Sequence, residues 1–206
     1  MKELLWTIPA LPFLGAFLLV TIGTKLSRPI VSMIGAGSIG LSALITIFIG
    51  LNFISSSTEL FHQVLWKWID VAGLNPSFAF HLDALSLVFI FVITFVGFLI
   101  HLYSIEFMAD DEGFSRFFAY LNLFVCSMLI LVLADNLVLM YLGWEGVGLC
   151  SYLLIGFWYE EKKNGDAARK AFIVTRVGDT AMAIGLFMLF DAFGTLTIQD
   201  ILTQAP

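Results

Sequence analysis

The stretch LVLMYLGWEGVGLCSYLLIGFWY, residues 137–159, carries one charged side chain, Glu145. A membrane-spanning helix needs about 20 mostly apolar residues, so this stretch predicts a span. Eight helical residues precede Glu145, which places it roughly 12 Å from the helix start at 1.5 Å per residue. A glutamate is too short to reach water from there, and an unpaired charge near the middle of a bilayer costs at least about 2.5 kcal/mol. Glu145 must therefore be paired, protonated or facing water. Burial favours the neutral carboxyl and a nearby cation favours the charged one. A glutamate under both influences changes protonation when the cation moves, which is the physical basis of a proton relay. The structural alternative is a glutamate hydrogen-bonded for helix packing alone.

Tyr141, Gly148 and Tyr152 lie at i−4, i+3 and i+7 from Glu145, on one helical stripe. Two phenols there can hydrogen-bond a carboxyl or order water. Gly143, Gly146 and Gly148 allow another helix to approach closely, which packing explains without function. A later apolar stretch, 171–190, holds Arg176 and Asp179 at i and i+3, facing the same way. They read as an ion pair tuning a neighbouring titratable site, or as a pair that neutralises itself, with Arg176 able to snorkel toward the boundary near Lys170. His101, near the end of the span 82–105, is a candidate for passing protons or an interfacial hydrogen-bonding histidine. Asp83 and Asp135 read as solvated residues at helix ends. Cys126 and Cys150 lie in apolar stretches without metal-ligand spacing and read as small buried hydrophobes.

The rest of the chain agrees with a membrane protein. Its 206 residues are 60% hydrophobic and 13% charged, with a mean hydropathy of +0.97, against roughly 25% charged in a soluble domain. Six spans are expected, at 4–23, 30–54, 82–105, 117–134, 137–159 and 171–190. The first holds Pro9 and Pro12, which membrane helices tolerate. It lacks a basic leading region and a cleavage site, and reads as a mature first helix. The segment Ser55–His81 is the one long connection. Alternating apolar and polar residues with Gly73, Asn75 and Pro76 suit a short β-hairpin on the membrane surface, with Trp66 and Trp68 at the interface. An irregular amphipathic loop suits them equally. Seven of the ten Lys and Arg fall on one side of the alternating loops, and Lys2 and Lys67 on the other. The positive-inside rule places the seven in the cytoplasm and both termini outside. The net charge of −6 sits in short loops. Nothing resembles a phosphate loop, a dinucleotide fingerprint or a hydrolase triad, and no basic patch suits nucleic acid.

Residues 132–190, with the specific block GWEGVGLCSYLLIGFW and the pattern VTRVGD, resemble the L-type subunit of bacterial NADH:quinone oxidoreductase (respiratory complex I), counterpart of mitochondrial subunit 5. IPALPFLGAF, HLYSIEFM and GTLTIQDILTQAP fit the same family, so the resemblance spans essentially the whole chain. The A and D subunits of multisubunit cation/proton antiporters share the glutamate block, and plastoquinone-reducing relatives have similar segments.

The resemblance implies an all-α membrane fold of about six helices, the N-terminal part of an antiporter-like bundle of inverted repeats. Residues 1–54 would be helices 1–2 and 55–81 an external loop. Residues 82–193 would begin the proton-translocating domain, and 194–206 would be a tail leading to an absent seventh helix. The resemblance also implies that Glu145 pairs with a lysine on that seventh helix, and that Arg176 and Asp179 modulate proton transfer. No cofactor or metal is expected in the chain. FMN, iron–sulfur clusters and quinone are expected in other subunits of the complex. The expected partners are the bilayer, the M- and N-type antiporter-like subunits, and a companion chain supplying the rest of the subunit, since a full member is about three times as long. The bacterial plasma membrane is the expected location. Without the lysine, Glu145 is expected to lack its cation. The alternatives are a subunit of a Na+(K+)/H+ antiporter and a truncated structural remnant.

Overall fold

The computed structural model describes residues 2–55, 60–71 and 73–205. Residues 56–59 and Ala72 of the long connection, Met1, Pro206 and the Lys2 side chain counted above lie outside the described residues. The helices are α1 (Thr7–Ile22), α2 (Arg28–Ser55), α3 (Ala84–Phe107), α4 (Phe114–Leu133), α5 (Leu137–Ile155), α6 (Lys162–Phe193) and a short α7 (Ile198–Gln204). Two antiparallel strands, β1 (Phe61–Lys67) and β2 (Ser77–Leu82), form a hairpin between α2 and α3. The first six helices are each long and apolar enough to cross a membrane.

Packing is centred on α4, which lies against α1, α2, α3 and α5. Helices in lipid gain little from the hydrophobic effect and associate through close contact of small residues. Gly143 shows this most sharply, since a Cβ there would stand 2.6 Å from the Leu131 backbone nitrogen. Only glycine lets α5 come that close to α4. The sixth helix packs mainly on α5, and only Ala168 and Asp179 on it are fully buried.

The long connection resolves to the hairpin. Its Phe61, Phe80 and Leu82 join Leu5, Ile8, Ile39, Leu129 and Leu133 in one apolar cluster, each large side chain contributing about 1.5–3 kcal/mol where it leaves water. Trp66 stacks on Phe78 with ring centroids 4.4 Å apart. The hairpin also fixes helix starts. Asp83 caps α3, its carboxylate accepting from the Ser86 N–H at 2.7 Å while the Ser86 hydroxyl accepts from the Asp83 N–H. Asn136 caps α5 by accepting from the Leu139 N–H, and its amide donates to the Ser77 carbonyl of β2 at 2.8 Å. The Leu137 N–H donates to the Leu196 carbonyl beyond α6, and the Ile198 N–H to the Asp135 carbonyl. Gly194, in the left-handed region at φ +68, ends α6 so that the chain can make this return.

Three sequence expectations need correction. The fifth helix stops at Ile155, not Tyr159, so Glu145 has eight helical residues before it and ten after, nearer the middle. The sixth begins at Lys162, not Ala171, because hydropathy registers only the apolar part of a helix whose charged first turns are good helix formers. Asp135 is not a solvated end residue, since its side chain is 11% exposed and lies 3.2 Å from His62 Nε2.

Gly143→Ala is expected to cost about 1–3 kcal/mol through overpacking, whereas Gly165→Ala, where a Cβ meets nothing, should be neutral or stabilising, as unfolding in detergent would measure. Asp83→Ala should cost about 1 kcal/mol. Burial opposes the charge of Asp83, but hydrogen bonds from Ser86 and the neighbouring His81 outweigh it and hold its pKa below the ordinary value. The capping contribution should therefore be complete at neutral pH and fade only as pH falls through that lowered pKa, a dependence that the Asp83→Ala variant should lose.

Candidate functional site

The α5–α6 contact brings together Glu145, Arg176, Asp179 and Tyr141. Arg176 lies about 21 Å along α6 from the helix start at Lys162, at 1.5 Å per residue, and its guanidinium is turned to α5. Its Nη1 is ion-paired with Glu145 Oε2, and its Nε stands 3.9 Å from Asp179 Oδ2. The Phe172 ring lies 4.7 Å from the guanidinium carbon, a cation–π contact that a planar guanidinium makes well. Within this chain the cation beside Glu145 is thus Arg176, in the place where the resemblance implied a lysine. The arginine read as the partner of Asp179 serves both acids.

Asp179 is 4% exposed. Its Oδ1 accepts from the Trp144 indole N–H at 2.8 Å, and its backbone carbonyl accepts from the Tyr141 hydroxyl at 3.3 Å. That hydroxyl also faces the Glu145 carboxyl. Tyr152 joins indirectly, its ring 5.5 Å from Phe172. Gly148 leaves open space, with no atom within 4 Å of where a Cβ would be. With both acids ionised, two negative charges share one guanidinium, so the cluster is one positive charge short of neutral.

His101 belongs to a different network. It is 1% exposed. Its Nδ1–H donates to the Gly97 carbonyl at 2.7 Å, and its Nε2 lies 3.5 Å from the Asn122 amide of α4. Asn122 also donates to the Gly35 and Phe118 carbonyls and accepts from Ser38 at 2.6 Å. This network ties α2, α3 and α4 together, and none of its described contacts reaches Glu145, Arg176 or Asp179. Cys126 and Cys150 are both free and buried. Among the described residues no three His, Cys, Asp or Glu side chains are grouped as metal ligands.

Sequence reading missed Trp144, Asn122 and Ser38. Trp144 reads as apolar, yet a tryptophan beside a buried acid is a donor in search of an acceptor. Asn122 and Ser38, polar residues inside apolar spans, carried the signal that Glu145 did, only without charge.

Two family profiles match the chain and together cover more than half of it. One, described as NADH-ubiquinone oxidoreductase (complex I), chain 5 N-terminus, matches residues 68–118. The other, described as the transmembrane region of NADH:quinone oxidoreductase/Mrp antiporters, matches residues 134–205 and contains the whole cluster. The chain is 53% identical over 196 residues to NADH-quinone oxidoreductase subunit L of Escherichia coli, covering 95% of this chain and 32% of that protein. It is 52% identical to the Pseudomonas aeruginosa subunit L and 42% to that of Mycobacterium tuberculosis, with the same 32% of each covered. It therefore spans about a third of the length of the curated relatives it matches. A chain in the structure of the Mrp complex from Dietzia superposes with a TM-score of 0.79 over 96% of this chain and 20% of that one, at 24% identity, which is a likeness of fold.

Arg176→Gln should lower stability by about 1–2 kcal/mol, less than for a fully buried pair because the arginine is partly exposed. Adding Glu145→Gln should recover part of that loss. A double-mutant cycle in detergent measures the coupling, and strict additivity would mean that the pair is not formed.

Proposed function

We infer that this chain, which belongs to the subunit L family of NADH:quinone oxidoreductase and spans about a third of the length of its members, supplies a proton-handling site of an antiporter-like membrane subunit. The observation that carries the reading is the pairing of Glu145 with a guanidinium shared by a second, buried carboxylate, between two of six apolar helices. Residues 82–193 form the part of the proton-translocating domain that holds this site.

In this reading Glu145 is the proton carrier. While Arg176 leans on it, the charged form is favoured. When Arg176 leans toward Asp179, Glu145 is left in apolar surroundings and takes up a proton. Return of the cation releases the proton. Tyr141, facing Glu145 and bonded to α6, is placed to pass a proton or order a water. His101 is assigned to holding the bundle, and Gly148 and Tyr152 to shaping the approach to Glu145. Moving each charge against 100 mV costs about 2.3 kcal/mol. That energy comes from quinone reduction in partner subunits that hold FMN, iron–sulfur clusters and quinone, so this chain is a non-redox subunit of a translocase. The M- and N-type antiporter-like subunits are its neighbours, and a further segment or companion chain covers the bare side of α6. The chain sits in the bacterial plasma membrane, with the basic start of α6 on the cytoplasmic side and both ends outside.

The description of the second profile, which names both complex I and Mrp antiporters, supports a second reading, a subunit exchanging Na+ or K+ for protons with no redox partner.

Glu145→Gln in the assembled complex should leave assembly intact and lower the number of protons translocated per NADH oxidised in proteoliposomes. An unchanged stoichiometry would overturn the role and leave a structural remnant as the better account. Sodium or potassium flux driven by a pH gradient in the absence of NADH would favour the exchanger.

A further inference from the structure

We propose that Trp144 is a positioning residue that sets how Arg176 is shared between Glu145 and Asp179. The proposal rests on the proton-handling reading of Glu145. The carboxylate of Asp179 is almost wholly buried and has two recorded polar contacts. The Arg176 Nε, at 3.9 Å, is too far for a hydrogen bond. The Trp144 N–H, at 2.8 Å and directed at Oδ1, is the closer of the two. A hydrogen bond to an ionised acceptor is roughly twice as strong as a neutral one, so the indole supplies the directed hydrogen bond to that buried carboxylate while Arg176 supplies the nearby charge.

The consequence falls on Glu145. With Oδ1 held by the indole, Asp179 remains charged without drawing the guanidinium fully to itself, and Arg176 stays engaged with Glu145. Without the N–H, the Asp179 carboxylate pulls Arg176 toward itself, and Glu145 loses part of its cation, which favours its protonated form. An indole nitrogen donates only and does not titrate, so it holds Asp179 the same way whatever the protonation state of Glu145. Trp144 and Glu145 are adjacent on α5. The helix that carries the proton carrier therefore also carries the donor that restrains the competing acid, and any shift of α5 against α6 changes both contacts together. The indole is 48% exposed, so the N–H, more than buried bulk, is what the position contributes to the cluster.

The test uses the assembled complex in proteoliposomes. Trp144→Phe keeps a ring and removes the donor. Trp144→Gln removes the ring and keeps an N–H of similar reach. The acid limb of the pH profile of proton translocation should move to higher pH by roughly one unit in Trp144→Phe, a tenfold change in ionisation, and move back at least partly in Trp144→Gln. Trp144→Phe combined with Asp179→Asn should match Asp179→Asn alone. Infrared difference spectra should show a carboxylate band that shifts in Trp144→Phe and is missing in Asp179→Asn. A uniform loss of rate at every pH, an effect that adds to that of Asp179→Asn, or an unmoved carboxylate band would each overturn the proposal. Glu145→Gln measured alongside separates the two failures. If it leaves pumping intact, the proton-handling reading fails. If it lowers pumping while the Trp144 variants leave the profile and the band unchanged, only the positioning role fails.

Discussion

An ionised carboxylate cannot stay alone inside a bilayer, and the arrangement of α5 and α6 answers that constraint. Glu145 stands near the middle of its helix, and Arg176 reaches it from the interior of the neighbouring one. Removing Arg176 leaves Glu145 in a medium that penalises an unpaired charge by at least about 2.5 kcal/mol. The same guanidinium also faces Asp179. With both acids ionised, two acids and one base form a site whose charge is unbalanced by one, in a place where imbalance is costly. Such a site is sensitive to small displacements, because the difference between the two carboxylates, and not their sum, decides where the cation rests.

The rest of the fold holds that geometry. The close approach of α5 to α4 at Gly143 fixes one side of the helix carrying Glu145. Its first turn is capped by Asn136, which also bonds the hairpin, and the chain returning from α6 donates to the same turn. The two helices of the cluster are thus tied together at one end by backbone and capping hydrogen bonds, while their middles meet through charged and aromatic side chains. The separate His101–Asn122–Ser38 network anchors the opposite part of the bundle, where every buried side-chain nitrogen and oxygen described has a partner.

Much of this was legible in the sequence, for reasons that can be named. Six apolar runs of spanning length, each broken by charge, proline or turn residues, can be read because lipid tolerates nothing else. Glu145 stands out because charge is rare in such runs. Helix ends were less legible. The start of α6 at Lys162 was hidden because its charged turns lie where hydropathy is silent, and Ile155 ends α5 although Phe157, Trp158 and Tyr159 are as apolar as what precedes them. Pairing across helices was not legible. The i, i+3 spacing of Arg176 and Asp179 suggested a private pair, but spacing along one helix carries no information about an acid on the next. Asp135 looked solvated because the histidine it meets lies more than seventy positions earlier, on a strand that local pattern alone left open between hairpin and loop. The role of Trp144 depends on the rotation of α5 relative to α6, which no single-helix pattern encodes.

The most direct measurement is the Glu145–Arg176 contact itself, in lipid. Solid-state NMR on the chain in bilayers, with 13C in glutamate side chains and 15N in arginine guanidinium groups, reads the dipolar coupling between the two, with Glu145→Gln assigning the signal. The account predicts a strong coupling corresponding to a carbon–nitrogen separation of about 4 Å or less, as expected for a formed ion pair. A carboxyl signal for Glu145 that shows no guanidinium coupling and instead exchanges freely with bulk water would contradict it.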